Sequence, residues 1–234
     1  MHPMRFQHAA GIRADHPMLA AGVVAVEGID DGADVDDAVA AHVARATTIL
    51  ATTAVSELPQ IQAWRRTFAA MGLKPTQYRC AAESLLRRLS KEGTLPRIHP
   101  LVDLCNAVSA AAAIPVAVLD RDRIKGDLEV RHAHGDEAYA TFAGDVEHPA
   151  PGEVIFADEA GHAHARRWTY KQSSTSTVRP ETRDVLIVSE ALHPGADADV
   201  EALLTTIAAE VARAWPGTTP ALTLLTADRP VAEM

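Results

Sequence analysis

The chain has 234 residues, 47% hydrophobic but only 4% aromatic, so alanine, valine and leucine must fill its core. That length suits one large domain or two small ones. A net charge of −9 argues against indiscriminate nucleic-acid binding, and the apolar runs stop short of the roughly 18 residues that span a bilayer.

The opening Met1-His2-Pro3-Met4-Arg5-Phe6-Gln7 lacks the apolar stretch of a signal peptide, so a soluble, cytoplasmic chain is expected. Cys80 and Cys105 offer no disulfide framework and read as small buried hydrophobes. Charge is unevenly spread. Residues 61–131 carry +5, whereas 1–60 carry −5 and 132–234 carry −9. A basic middle permits local contact with a polyanion, or else reflects clustering on solvated helix faces.

In chain order, Leu19–Ile29 reads as a strand ended by Asp30-Asp31-Gly32. Asp34 or Asp36 then caps a helix with Val35, Ala38, Val39, His42, Val43, Ala46 and Ile49 at helical spacing. Pro59 opens another, through Trp64 and Phe68 to Gly72 at C′. The spacing predicts a third helix from Pro75 or Thr76 to Gly93, with Arg79, Glu83 and Arg87 as an i, i+4, i+8 ladder. A fourth covers about 100–113, with Asp103, Asn106 and Ser109 on one face. After Pro115 come short strands: Val116–Leu119, Leu128–His134, Ala138–Phe142, Val154–Ala157, Ala163–Trp168 and Val185–Ser189. A helix from Asp199 to Trp215, a strand Ala221–Leu225 and a frayed tail complete the chain. Helices and strands come in blocks, so the expected class is α+β, a single module of 1–234 with a mixed or antiparallel sheet against several helices.

Chemistry is sparse by motif. Of 11 histidines, His132/His134 and His162/His164 each share a strand face. No third or fourth convergent ligand accompanies them, so exposed strand histidines are expected and no metal. No Gly-x-Ser-x-Gly elbow or phosphate-cradling loop is present. The hydroxyl-rich Ser173–Thr177 is a connection or a ligand-holding loop. The Arg79–Glu83–Arg87 ladder is a surface ion-pair row, or one wall of a cleft shared with Asp103, Asn106 and Ser109.

Three segments carry a resemblance: Tyr78-Arg79-x-x-x-Glu83-x-Leu85-x-Arg87-Arg88; Leu95-Pro96-x-Ile98-x-Pro100-Leu101-Val102-Asp103-x-x-Asn106-x-x-Ser109 on to Leu119-Asp120; and Pro151–Asp158 with Arg166-Arg167-Trp168 and Thr182–Glu190. Over about 60–195 the chain resembles the editing domain of the bacterial phenylalanyl-tRNA synthetase beta subunit. It is more similar still to freestanding proteins made of that B3/4 domain. The resemblance implies an α+β module that hydrolyses the ester of a mischarged aminoacyl-tRNA in trans. Because the vicinal tRNA hydroxyl and a positioned water can suffice, a site without cofactor or metal is expected. The implied partner is mischarged tRNA, not DNA or a membrane, and the expected state is a monomer.

The resemblance places Asn106 near the bound amino acid and Glu190 against its side chain or ammonium. Asn106 and Ser109 are therefore the expected catalytic pair, orienting water or the carbonyl. Tyr78, Arg79, Glu83, Asp103, Trp168 and Glu190 are the expected substrate contacts. Arg87, Arg88, Lys91, Arg167 and Lys171 are the expected tRNA contacts. Ala117 stands where the synthetase version has a histidine, which removes an imidazole base and weakens the case for tyrosine. Two or more carboxylates in the pocket would favour a cationic or polar amino acid. The alternatives are a non-catalytic tRNA- or amino-acid-binding module, and a hydrolase of free aminoacyl esters or amides.

Overall fold

The computed structural model describes residues 3–234; Met1 and His2, the start of the segment read for a signal peptide, lie outside them. The described chain opens with β1 (Arg5–His8), α1 (Ala10–Asp15) and β2 (Ala20–Val26). Four helices follow: α2 (Asp36–Leu50), α3 (Pro59–Ala70), α4 (Ala81–Glu92) and α5 (Pro100–Ala112). Then come β3 (Val116–Asp120), β4 (Leu128–His132), β5 (Tyr139–Ala140), β6 (Val146–Glu147) and β7 (Val154–Asp158). After them run β8 (Ala163–Arg166), β9 (Lys171–Gln172), β10 (Val185–Ala191), α6 (Ala196–Ala214), β11 (Ala221–Leu225) and β12 (Val231–Glu233). The class is α+β, as expected.

Strand β2 is buried at every position, and its sequence AAGVVAV is apolar throughout. Such a strand needs cover on both faces. It lies inside a four-stranded antiparallel sheet, β11-β2-β10-β3. On one face Val24, Val26, Val185 and Ile187 pack with Leu101 and Leu104 of α5 and Leu203, Leu204 and Ile207 of α6. On the other face Ala21, Val23, Leu186 and Val188 pack with Trp64, Leu86, Phe156 and Trp168. The alternation is the period of 2 that sends successive side chains to opposite faces. Each buried Val or Leu contributes roughly 1.5–3 kcal/mol.

A six-stranded sheet, β12-β1-β4-β7-β8-β9, closes the second face. It is mixed: β1 runs parallel to β4, and the other pairs are antiparallel. The expected frayed tail is in fact β12, paired with β1. Residues 226–233 read as tail because their partner is the other end of the chain.

Gly72 and Gly93 have φ of 77° and 73°, the left-handed conformation that ends a helix at C′ without Cβ strain. The helix expected from Pro75 or Thr76 starts only at Ala81. Lys74–Tyr78 instead forms a turn, the N–H groups of Gln77 and Tyr78 both donating to the Lys74 carbonyl. Cys80 is extended at ψ 160° and caps the helix, its Sγ accepting the Glu83 N–H at 3.5 Å. Tyr78 and Arg79 therefore sit on a loop before α4. Among the described residues, no helix is long and apolar enough to cross a membrane.

Candidate functional site

A narrow cavity of about 70 Å³ lies where the two sheets meet beside the start of α4. Ala81, Val116, Ala117, Phe156, Ala165 and Val188 give it apolar walls. Trp168 and Glu190, both buried, form its floor, while Thr169, Tyr170 and the exposed Lys171 lie toward solvent. A larger, open groove of about 480 Å³ lies between α2, α5 and α6, walled by helix surface such as Ala111, Ala112 and Leu203. The small cavity is the candidate because its polar groups converge in an apolar enclosure.

The floor is built by a strained loop. Arg167 and Trp168 are consecutive non-glycine residues with φ of 48° and 60°. That conformation is costly and persists where surroundings enforce it. Glu153 does so, accepting the Arg167 N–H at 3.1 Å and both Nε (2.8 Å) and Nη2 (2.9 Å) of Arg166. Burial pushes the Glu153 carboxyl up, but the hydrogen bonds and charges of Arg166 and Arg167 outweigh it, so its pKa is lowered. The Trp168 N–H donates to the Val154 carbonyl at 2.7 Å. The turned chain drives the indole inward, edge-on to Trp64 at 5.1 Å, with its Nε1–H donating to Glu190 Oε1 at 3.0 Å.

Glu190 Oε1 also meets His8 Nε2 at 2.6 Å. Both side-chain hydrogen bonds of Glu190 fall on this one oxygen, and Oε2 has no partner among the described residues. Thr169 is the second unspent group: its Oγ1 is buried beside the cavity with no partner among the described residues. Its carbonyl accepts the Ala81 N–H at 2.9 Å, tying the loop to the first turn of α4. At the rim, Arg167 stacks over the Tyr78 ring at 4.8 Å and the Tyr170 ring at 5.8 Å.

The structure separates other residues that the sequence grouped. Trp168, Glu190 and Lys171 share the cavity with Ala117, and Tyr78 and Arg167 stand beside it. Glu83 does not line it. The ladder is neither a surface row nor a cleft wall, because Glu83 is fully buried. Its Oε1 receives Arg65 Nη1 at 2.8 Å and Arg87 Nε at 2.8 Å, with Arg79 Nε at 3.7 Å. Arg65 comes from α3, and no i, i+4 spacing in the sequence links it to Glu83. The result is one buried carboxylate beneath three partly exposed guanidinium groups, beside the α4 start that forms a cavity wall.

Asp103 is also buried and away from the cavity, accepting the Ile98 N–H at 2.7 Å and pairing with Arg97 at 3.2 Å. The expectation of several carboxylates in one pocket is thus corrected to one, Glu190. Ser109 is 1% exposed and donates to the Ile114 carbonyl at 2.6 Å, closing the end of α5, so its hydroxyl is occupied. Asn106 is half-buried on α5, outside the cavity lining, and its amide is unengaged by other described residues. Arg88 pairs with Glu92 at 2.9 Å on the exposed face of α4, and Lys91 is exposed near its end.

The remaining candidates have structural duties. His164 is buried rather than exposed, bonded through Nε2 to Asp158 Oδ2 at 3.1 Å, which His162 reaches at 3.0 Å. Ser173 and Ser174 donate to the Ala140 carbonyl at 3.0 and 3.3 Å and stitch their loop to β5. Burial pushes the Cys80 thiol up to about 12 and Cys105 upward as well, so neither is a thiolate nucleophile. No group of three or more His, Cys, Asp or Glu suited to a metal ion occurs among the described residues.

A family model described as the B3/4 domain matches residues 63–229, well over half of the chain. The chain is similar to the phenylalanine–tRNA ligase beta subunit of Mycolicibacterium paratuberculosis, 31% identical over 147 residues, 62% of this chain and 17% of that protein. It is similar also to that of Bartonella quintana, 32% identical over 94 residues, 40% of this chain and 12% of that protein. It spans less than a fifth of the length of these curated relatives. Among solved structures, an N-terminal fragment of the phenylalanyl-tRNA synthetase beta subunit from Pyrococcus horikoshii matches with a TM-score of 0.49 and 9% identity. That match covers 94% of this chain and 54% of the fragment. On the family match over residues 63–229, the chain belongs to the B3/4 domain family.

Proposed function

We propose that this chain is an aminoacyl-tRNA deacylase acting in trans on a mischarged tRNA whose amino acid has an unbranched side chain ending in a cation or hydrogen-bond donor. The curated relatives are beta subunits of phenylalanine–tRNA ligases, which makes a tRNA-linked ester the first substrate class to consider. The observation that carries the finer reading is Glu190: a buried carboxylate, one oxygen unspent, at the end of a cavity whose walls are mostly apolar.

A tRNA is too large to enter, so the ester stays at the mouth and the side chain points to the floor. Methylene groups suit the alanine, valine and phenylalanine walls, and the charged tip meets Glu190. The cavity of about 70 Å³ must open for any long side chain, aromatic or alkyl-ammonium. The case against tyrosine therefore rests on the Glu190 carboxylate and on Ala117 in place of a histidine.

Hydrolysis needs a water oxygen to bond the ester carbonyl carbon while the bond to the ribose oxygen breaks and that oxygen takes a proton. The vicinal ribose hydroxyl can relay the proton, so the protein need only orient the ester and stabilise the oxyanion. Thr169 Oγ1 is the unpartnered hydroxyl beside the cavity for that work. Ser109 drops out, and Asn106, outside the cavity lining, keeps only the place that the family resemblance gives it. Arg79, Arg87, Arg88, Lys91, Arg167 and Lys171, joined by Arg65, would meet tRNA phosphates.

The test is deacylation of a panel of tRNAs charged with correct, wrong and non-protein amino acids, with wild type, Asn106→Ala and Glu190→Gln side by side. Selective loss of a basic aminoacyl ester, weakened in both variants, supports the reading. A second reading, a binding module without chemistry, draws on Ala117, which puts no imidazole base on the cavity wall. Retained tRNA binding with no hydrolysis across the panel would favour it.

A further inference from the structure

We infer that His8, from the segment preceding the matched family region, is a positioning residue that fixes the Glu190 carboxylate with Oε2 turned to the cavity. This rests on the reading of that cavity as the side-chain pocket. His8 lies on β1 and Glu190 on β10, 182 residues apart in sequence and in different sheets. Their side chains are 0% and 2% exposed, and Nε2 stands 2.6 Å from Oε1. Residues 63–229 are those the family model matches, so the family region supplies Glu190 and Trp168 while the preceding segment supplies His8.

The tautomer follows from the next residue in the chain of contacts. Arg13 Nη2 approaches His8 Nδ1 at 3.4 Å, and its Nη1 donates to the Leu19 carbonyl at 3.1 Å. A guanidinium only donates, so Nδ1 accepts, the ring proton sits on Nε2, and Nε2–H donates to Glu190 Oε1. The imidazole thus holds Oε1 as a donor, with the Arg13 guanidinium one residue further back. The ring is itself held, edge-on to Phe6 at 5.4 Å, and β1 is pinned in the sheet through the Ala9 N–H and the Val130 carbonyl at 2.9 Å. With Oε1 fixed by His8 on one side and by Trp168 on the other, rotation of the carboxylate is blocked. A carboxylate so fixed discriminates by charge and direction, because the orienting cost has been met before ligand arrives.

The experiment compares full-length wild type, His8→Gln, His8→Leu and Glu190→Gln. Glutamine places an amide N–H near the imidazole Nε2, and leucine places none. Two readouts are taken: the Trp168 indole N–H resonance in a nitrogen-15 correlation spectrum, and kcat and KM on the basic aminoacyl-tRNA that the panel selects. The expected result is a displaced Trp168 resonance in His8→Leu, with KM raised about tenfold and kcat changed less, and recovery of most of both losses in His8→Gln. If His8→Leu does not fold, His8→Asn replaces it, since its shorter amide fits the space without reaching Glu190. An unmoved indole resonance and unchanged KM in a folded His8→Leu or His8→Asn would overturn the assignment. If wild type hydrolyses nothing while the indole resonance still follows the His8 series, the deacylase reading fails and the positioning of Glu190 stands.

Discussion

Trp168 donates its indole N–H to Glu190 at 3.0 Å, and both side chains are buried beneath the cavity. The pair joins the strained loop before β9 to strand β10, so the floor's charge is set by one carboxylate. Glu190→Gln keeps the shape and removes the charge. It is expected to cost about tenfold or more in kcat/KM for a basic side chain and to leave a neutral isostere of equal length within about threefold. Steady-state deacylation of the two charged tRNAs measures the ratio. Equal losses on both would remove Glu190 from side-chain recognition.

Thr169 is the polar side chain beside the cavity with a buried, unpartnered oxygen. A donor aimed at a developing oxyanion is worth about 10²–10³ in rate. Thr169→Val keeps the β-branched shape and is expected to lower kcat about tenfold to a hundredfold with little change in KM. Single-turnover hydrolysis reads this directly. An unchanged rate would remove Thr169 from oxyanion stabilisation.

Local patterns in the sequence carried much of the fold, and the site far less. The helical stripe of Leu86 and Leu89, the apolar run of β2 and the stop signals Gly72 and Gly93 depend on neighbours within a few residues. The start of α4 is not legible because a side-chain pattern does not reveal that Lys74–Tyr78 satisfies its backbone as a turn. The pairing of β1 with β12 joins the two ends of the chain and leaves no local mark. Glu190 and Trp168 were legible through the family resemblance. Thr169, His8 and Arg65 were not, since each acquires its place only when distant segments meet. An i, i+4 row such as Glu83–Arg87 ordinarily lies on a surface; only the packing of α4 buries it.

Acid sensitivity is expected from Glu137. Burial opposes its ionisation, but the His134 N–H (2.9 Å), Arg131 and the Gly135 N–H (3.1 Å) outweigh it and hold the pKa at about 2 instead of 4.5. The folded state therefore binds this proton less readily than the unfolded chain. Its stabilisation is fully present above about 4.5 and is lost as pH falls toward about 2. Asp158 is lowered too: burial raises its pKa, but the hydrogen bond with His164 and others outweigh it, so it acts in the same direction. Thermal melts at a series of pH values should show Tm falling across this window. Glu137→Gln should lower Tm at neutral pH and flatten the fall. A parallel curve for the variant would assign acid sensitivity elsewhere.

Arg87 and Glu83 test the basic face in opposite ways. Glu83 Oε1 gathers Arg65 and Arg87 at 2.8 Å each, so one negative charge holds a face that is positive in sum. Glu83→Gln keeps the volume and removes that charge. The guanidinium groups reach water, which limits the damage, and a loss of about 1–3 kcal/mol is expected in denaturant unfolding. Arg87→Ala removes an outer cation and should spare the fold. If this face meets a tRNA phosphate, affinity falls for every tRNA alike, and the slope of log K against log salt becomes shallower by about 1. Arg88→Ala, whose partner is the exposed Glu92, provides the comparison along the same helix. Binding of uncharged tRNA across a salt series gives both slopes. A slope unchanged in Arg87→Ala would place the tRNA backbone away from the start of α4, and with it the direction from which the ester reaches the cavity.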